Sequence, residues 1–194
     1  RLARSGSPYN TAAGAKLVDF AGFEMPVRYS GDVREHRCVR EAAGLFDISH
    51  MGEFDVRGEG AAAWLDRMVT NDVAGMEDGQ VRYGLLCLPG GGVVDDVTLY
   101  RIAAHDWLFC INASNIAADL EWMREVHAGS GLHCEIADES DQTALLAIQG
   151  PAALEIAAGA LPSSGPVPRR WRFASVRLGT DEIWLSRTGY TGED

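Results

Sequence analysis

Apolar side chains recur along this chain with two different periods. Ala61, Trp64, Leu65, Met68 and Val69 follow the i, i+3, i+4, i+7, i+8 spacing of an amphipathic helix. Ile116, Leu120, Met123, Val126 and His127 form a second such stripe, and Ser114 stands where an N-cap belongs. A third helix is expected from Pro151, a favoured first helical position, with Leu154, Ala157, Ala158 and Leu161 inward. Residues 32–43 read as a fourth, stopped by Gly44.

Between these stripes lie apolar runs rich in β-branched residues. They predict strands at 45–49, 53–57, 82–88, 93–102, 107–113, 143–149, 172–178 and 183–186. Hairpins in succession, interrupted by isolated helices, indicate an α+β fold rather than a regular βαβ succession. No G-x-G-x-x-G follows a strand, so nothing supports a dinucleotide fold. Two Pro/Gly/Ser clusters punctuate the chain. Pro89-Gly90-Gly91-Gly92 is short enough for a hairpin turn, whereas Pro162-Ser163-Ser164-Gly165-Pro166 suits a linker or exposed loop.

The segment after the glycine turn breaks the pattern in an informative way. Asp95 and Asp96 stand inside the strand Val93-Val94-Asp95-Asp96-Val97-Thr98-Leu99-Tyr100. Strands disfavour aspartate, and a carboxylate on a buried face costs several kcal/mol unless it is paired or hydrogen-bonded. Alternation lets one of the two face water, so the other shares a face with apolar residues and needs compensation. Asp96 shares its face with Val94, Thr98 and Tyr100; Asp95 shares the other with Val93, Val97 and Leu99. If 89–92 is a four-residue turn, Leu88 pairs with Val93 and Tyr83 with Thr98. Tyr83 then faces the same side as Asp96 and Tyr100. Two rings flanking a carboxylate suit a flat heterocycle that carries N–H groups. The plainer alternative is that the acidic pair satisfies loop N–H groups or an arginine such as Arg101.

Composition narrows the classes without choosing among them. The 194 residues are 46% hydrophobic and 23% charged, enough chain to bury a sizeable core. Seventeen basic against 28 acidic side chains leave a formal charge of −11. With no Lys/Arg run beyond Arg169, Arg170 and Arg172, nucleic acid and anionic lipid surfaces are disfavoured as partners. No apolar run reaches the ~18–20 residues of a membrane span. The first ten residues lack the apolar stretch of a secretory signal. Cys38, Cys87, Cys110 and Cys134 and the five histidines have no metal-ligand spacing, so free thiols and no protein-bound metal are expected.

Six blocks, in order, carry a family resemblance. They are 17–27 (Leu-Val-Asp-Phe-Ala-Gly-Phe-Glu-Met-Pro-Val), 44–53 (Gly-Leu-Phe-Asp-Ile-Ser-His-Met-Gly-Glu), 70–73, 91–96, 146–151 and 186–194 (Ser-Arg-Thr-Gly-Tyr-Thr-Gly-Glu-Asp). Together they resemble the glycine cleavage T-proteins, tetrahydrofolate-dependent aminomethyltransferases, over essentially 8–194. The resemblance implies interleaved subdomains, 1–54 with 140–194 and 55–139. It also implies a β-rich C-terminal domain and further folate-tail contacts beyond Asp194. A chain ending there would hold a partial site and little activity.

The implied reaction moves the methylene carbon of an aminomethyl group on the lipoyl arm of H-protein to tetrahydrofolate, releasing ammonia. Asp96 is implied as the key acidic residue, orienting the pterin nitrogens. Met51, Tyr83, Tyr100, Asn112 and Tyr190 are implied as folate contacts. His50 reads as a structural hydrogen-bonding residue rather than a base. Bacterial cytoplasm or mitochondrial matrix suits such a protein. Related alternatives are a folate-dependent demethylase and a non-catalytic folate-binding paralogue. The latter is weakened because Arg187-Thr188-Gly189-Tyr190-Thr191-Gly192 lacks the cysteine that marks it.

Overall fold

The helix stripe that begins at Ala61 ends sooner than its periodicity predicts. In the computed structural model, which describes residues 8–161 and 167–193, α3 covers only Ala61–Leu65. The chain then leaves the helix so that Val69 bridges Leu86 and the Met68 carbonyl accepts the Cys87 amide at 3.2 Å. Trp64, Leu65, Met68 and Val69 are buried all the same. The periodicity reported burial correctly; pairing with a strand edge decided the backbone.

The contacts divide the chain into two units, Arg1–His50 with Ala144–Asp194, and Met51–Thr143. The second is built on a five-stranded antiparallel sheet in the order β5 (Val81–Cys87), β6 (Val93–Ala103), β7 (Asp106–Ile111), β4 (Gly52–Arg57) and β8 (Glu135–Asp138). One face carries Phe54, Val56, Leu86, Val97, Leu99, Trp107, Phe109 and Ile111, all buried in one cluster with Trp64 and Leu65 of α3 and Met123 of α4 (Ile116–Ala128). The other face holds Tyr83, Asp96, Thr98 and Tyr100, none of them in that core. Helices on one side and an open opposite face are the arrangement an antiparallel sheet permits.

The first unit consists of α1 (Pro8–Ala12), α2 (Asp32–Glu41), α5 (Ala153–Ala160) and three two-stranded sheets. These sheets are β1 (Lys16–Phe20) with β2 (Phe23–Arg28), β3 (Gly44–Asp47) with β9 (Leu146–Gln149), and β10 (Phe173–Leu178) with β11 (Asp181–Ser186). The first hairpin has no counterpart among the predicted strands. Its turn, Ala21-Gly22, holds both residues at positive φ (53° and 83°), as a type I′ turn requires, but alanine is not a residue that signals one. Pro26 further disguises β2 as a loop.

Other boundaries also moved. Helix α4 is preceded by Asn115, not Ser114, at its N-cap, and α5 begins at Ala153 rather than Pro151, with Ala158 exposed. A bulge interrupts the β5–β6 ladder between Leu86 and Cys87, so Val93 pairs with Cys87 instead of Leu88, while Tyr83 pairs with Thr98 as expected. The 162–166 linker reading lies outside the described residues. Among the described residues no helix is long and apolar enough to cross a membrane.

Candidate functional site

The two aspartates of β6 fall on opposite faces, and their surroundings differ as much as their exposures. Asp96 is exposed on the open face, while Asp95 is 5% exposed and points to the helix side with Val97 and Leu99. Arg101 compensates neither. Its guanidinium bonds Asp78 at 2.8 Å and lies 5.3 Å from the Trp107 ring centroid.

Compensation comes from amides at the β7–α4 junction. Asp95 accepts the Asn112 backbone N–H at 3.3 Å, the Asn112 side-chain amide at 3.0 Å and the Asn115 amide at 2.7 Å. The same Asn112 nitrogen reaches the Asp96 carbonyl at 2.9 Å and its carboxylate at 3.2 Å. One side chain thus ties both aspartates together. Its nitrogen is committed to the protein, which leaves the carbonyl oxygen as the group it can offer a ligand.

On the open face the Tyr83 hydroxyl donates to the Asp96 carboxylate at 3.3 Å, with Tyr83 54% exposed. The neighbouring negative charge of Asp96 is the main cause that raises the phenol above its usual value. Tyr83 therefore keeps its proton further into alkaline pH. Spectrophotometric titration of Asp96→Asn should bring this phenol back towards about 10, whereas no downward movement would mean the two groups do not interact. Tyr100 stands across from Val81 and Leu108 on the same face and is half-buried. Beside β5, the Asn71 amide donates to the Tyr83 carbonyl at 3.0 Å, and Thr70 Oγ1 accepts the Leu85 N–H at 3.1 Å. The block at 70–73 thereby holds the strand that presents Tyr83.

Met51 opens the second unit, half-buried, one residue before β4. Tyr190 belongs to the first unit, where its ring meets Phe46 edge-on at 5.9 Å. Its loop is anchored twice, by Thr191 donating to the buried Gln149 side chain at 2.9 Å and by an Arg40–Glu193 ion pair at 2.8 Å. His50 is buried, with the rings of Phe20 and Phe23 edge-on at 6.0 and 6.1 Å. Its Nδ1 has no hydrogen-bond partner, so aromatic packing replaces the hydrogen bond expected there. Burial lowers its pKa against the opposing charge of Asp47 and favours the neutral ring.

All four cysteines are free. Burial, then the nearby Glu53, pushes the Cys110 thiol up to about 12, which makes it a poor nucleophile at neutral pH. Among the described residues no group of three His, Cys, Asp or Glu side chains converges as a metal site.

Sequence reasoning missed Asn115 and Asp119. Asp119 is 1% exposed, three residues after Ile116 and four before Met123, so the inward stripe of α4 did mark it.

Comparison with known proteins agrees with this architecture. Residues 8–194 match the family described as GCVT N-terminal domain. An aminomethyltransferase of Prosthecochloris aestuarii is 45% identical over 188 residues, covering 95% of this chain and 51% of its own length. That of Pelodictyon phaeoclathratiforme is 46% identical over 187 residues, with 95% and 51% covered. The crystal structure of glycine cleavage system aminomethyltransferase T from Bartonella henselae superposes with a TM-score of 0.85 at 35% identity, over 96% of this chain and 50% of that one. A chain of heterotetrameric sarcosine oxidase from Corynebacterium sp. U-96 shares the fold, with a TM-score of 0.53 at 18% identity over 81% of this chain and 77% of that one. The chain spans about half the length of the curated relatives it matches.

Proposed function

Because the chain belongs to the GCVT N-terminal domain family, we propose that it forms the tetrahydrofolate-facing part of a glycine cleavage aminomethyltransferase. The observation that carries this reading is an exposed carboxylate, Asp96, held on an open sheet face by Tyr83 and Asn112. Such a group fits a ligand that is flat, reduced and rich in N–H donors. Tyr83 offers a ring beside it, Tyr100 another further along the same face, and Asn112 a carbonyl oxygen. Met51 and Tyr190 are the remaining contacts proposed for the folate.

Tetrahydrofolate, when bound, supplies two nucleophilic nitrogens that accept the methylene carbon. The donor is the aminomethyl group on the lipoyl arm of H-protein; ammonia and the dihydrolipoyl thiol leave. The residues of this chain orient and stabilise. Asp96 accepts an N–H of the attacking heterocycle and stabilises positive charge that develops on it. Tyr83 and Asn112 limit the directions in which the carboxylate can turn, and that fixed aim lowers the entropic part of the barrier. A bacterial bearer would work in the cytoplasm and a eukaryotic one in the mitochondrial matrix.

The test uses the full-length polypeptide that carries this chain. It is titrated with tetrahydrofolate and then offered aminomethylated H-protein in parallel with N-methyl and O-methyl donors. Folate-dependent release of ammonia from H-protein alone is the expected result. Turnover of a methyl donor instead would assign a demethylase, and folate binding without either reaction would assign a non-catalytic paralogue. No response to folate would end the reading.

A further inference from the structure

Below Asp96 lies a stack of buried polar groups that the proposed reaction does not touch. Asp95 on β6 and Asp119 on α4 are 5% and 1% exposed, on the helix side of the sheet. Among the described ion pairs none includes either residue. Asp95 is stabilised by three N–H donors, from Asn112 and Asn115. Both oxygens of Asp119 are sealed from solvent, and neither receives a hydrogen bond from another residue.

Two adjacent ionised carboxylates in that setting would each lose hydration with no cation to offset the loss. Asp95 has the donors that an anion needs, and Asp119 has none. The charge therefore resides on Asp95 and the proton on Asp119. The charged group acting on Asp119 is Asp95 of β6. The β7–α4 junction contributes the neutral amides of Asn112 and Asn115, while α3 and β7 contribute Trp64, Leu65, Phe109 and Ile111 to the same apolar core.

We propose that Asp119 is a neutral carboxylic acid that donates its proton to Asp95 and thereby, through Asn112, fixes the direction of Asp96. Asp119 is a positioning residue. A protonated Asp119 supplies the fourth donor to Asp95, after the three N–H groups. Asp95 in turn holds the Asn112 amide at 3.0 Å, and that amide reaches the Asp96 carboxylate at 3.2 Å. Burial, then hydrogen bonding to Asp95 and repulsion from its charge, push the Asp119 carboxyl up to about 8, so the proton is retained at neutral pH. Asn115 explains its own place in the same way. It sits at the N-cap of α4, yet its side chain makes no cap hydrogen bond and is spent on Asp95.

Two arms test this in the full-length polypeptide, and only the second rests on the aminomethyltransferase reading. In the first, infrared difference spectra of wild type against Asp119→Asn are recorded across pH. A carboxylic-acid C=O band is expected at neutral pH, absent from the variant and fading in wild type as pH rises past about 8. Its absence at neutral pH overturns the proposal, whatever the protein does with folate.

In the second arm, Asp119→Asn keeps a donor in place and should hold kcat within about threefold. Asp119→Leu fills the space without a donor and should lower kcat by about 10- to 100-fold, with KM for folate little changed. The Asn112 side-chain amide resonance should shift in Asp119→Leu and stay in Asp119→Asn. Equal losses in both variants, or none in either, would overturn the positioning role. Should the leucine variant not fold, Asp119→Ala replaces it under the same criteria.

Discussion

Asp96→Asn is expected to leave the protein folded and able to bind tetrahydrofolate while slowing aminomethyl transfer by about 10²- to 10³-fold. The substitution keeps the shape of the side chain and removes only its charge. Asp96 is exposed and anchors no core, so stability should change by no more than ~0.5 kcal/mol. Tyr83 and Asn112 donate to different oxygens of Asp96, so the amide oxygen can keep the bond from Asn112 while the amide NH2 donates to the Tyr83 hydroxyl oxygen. What disappears is the negative charge beside the attacking nitrogen. Single-turnover formation of methylenetetrahydrofolate isolates that step from folate binding, which calorimetry reads separately. Loss confined to turnover would assign Asp96 to the chemical step. Turnover near the wild-type rate would leave Asp96 as a surface residue whose hydrogen bonds merely order a hairpin.

The second large effect belongs to stability. Gly150→Ala should destabilise the protein by about 2–4 kcal/mol, because it combines a strained backbone with a clash that cannot relax. Gly150 has φ 138°, and a Cβ there would lie 2.5 Å from the Ala42 carbonyl oxygen and 2.7 Å from both the Ala43 Cα and the Val39 carbonyl oxygen. All three obstacles are backbone atoms at the end of α2, so no rotamer change relieves them. The same crossing is held by the Ala152 N–H, which donates to the Ala42 carbonyl at 2.9 Å. A matched control is Gly90→Ala, where nothing lies within 4 Å and the change should stay within ~0.5 kcal/mol. Urea unfolding of both variants checks the contrast. A midpoint for Gly150→Ala equal to that of Gly90→Ala would mean that the turn after β9 relaxes freely.

Particular elements explain how far reading the chain could go. Strands β5, β6 and β7 are legible because each carries an apolar run bounded by glycine or polar residues. Tyr83 pairs with Thr98 as a four-residue turn would predict, although the turn is not of that length: the register shift between Leu86 and Cys87 restores the count. The bulge that sets Val93 against Cys87 was not legible, since a bulge changes the count on one strand without changing composition. The β1–β2 hairpin escaped because its turn uses alanine at positive φ and its second strand contains a proline. Periodicity overextends helix α3 because it reports which residues are buried, and Met68 and Val69 stay buried after the helix has ended.

Alternation along β6 determines by itself that Asp95 and Asp96 face opposite ways, because side-chain direction in a strand is a local property of the backbone. The ordered blocks likewise pointed to the family, and the succession of hairpins and isolated helices to the α+β class. Which aspartate is buried, and what neutralises it, was decided only when α4 packed beneath the sheet. Asn112, Asn115 and Asp119 lie 16 or more residues from Asp96 along the chain, and no local spacing connects them. Burial and the hydrogen bonds that answer it are relations between elements distant in sequence. A carboxylate's environment therefore enters with the tertiary fold and not before it.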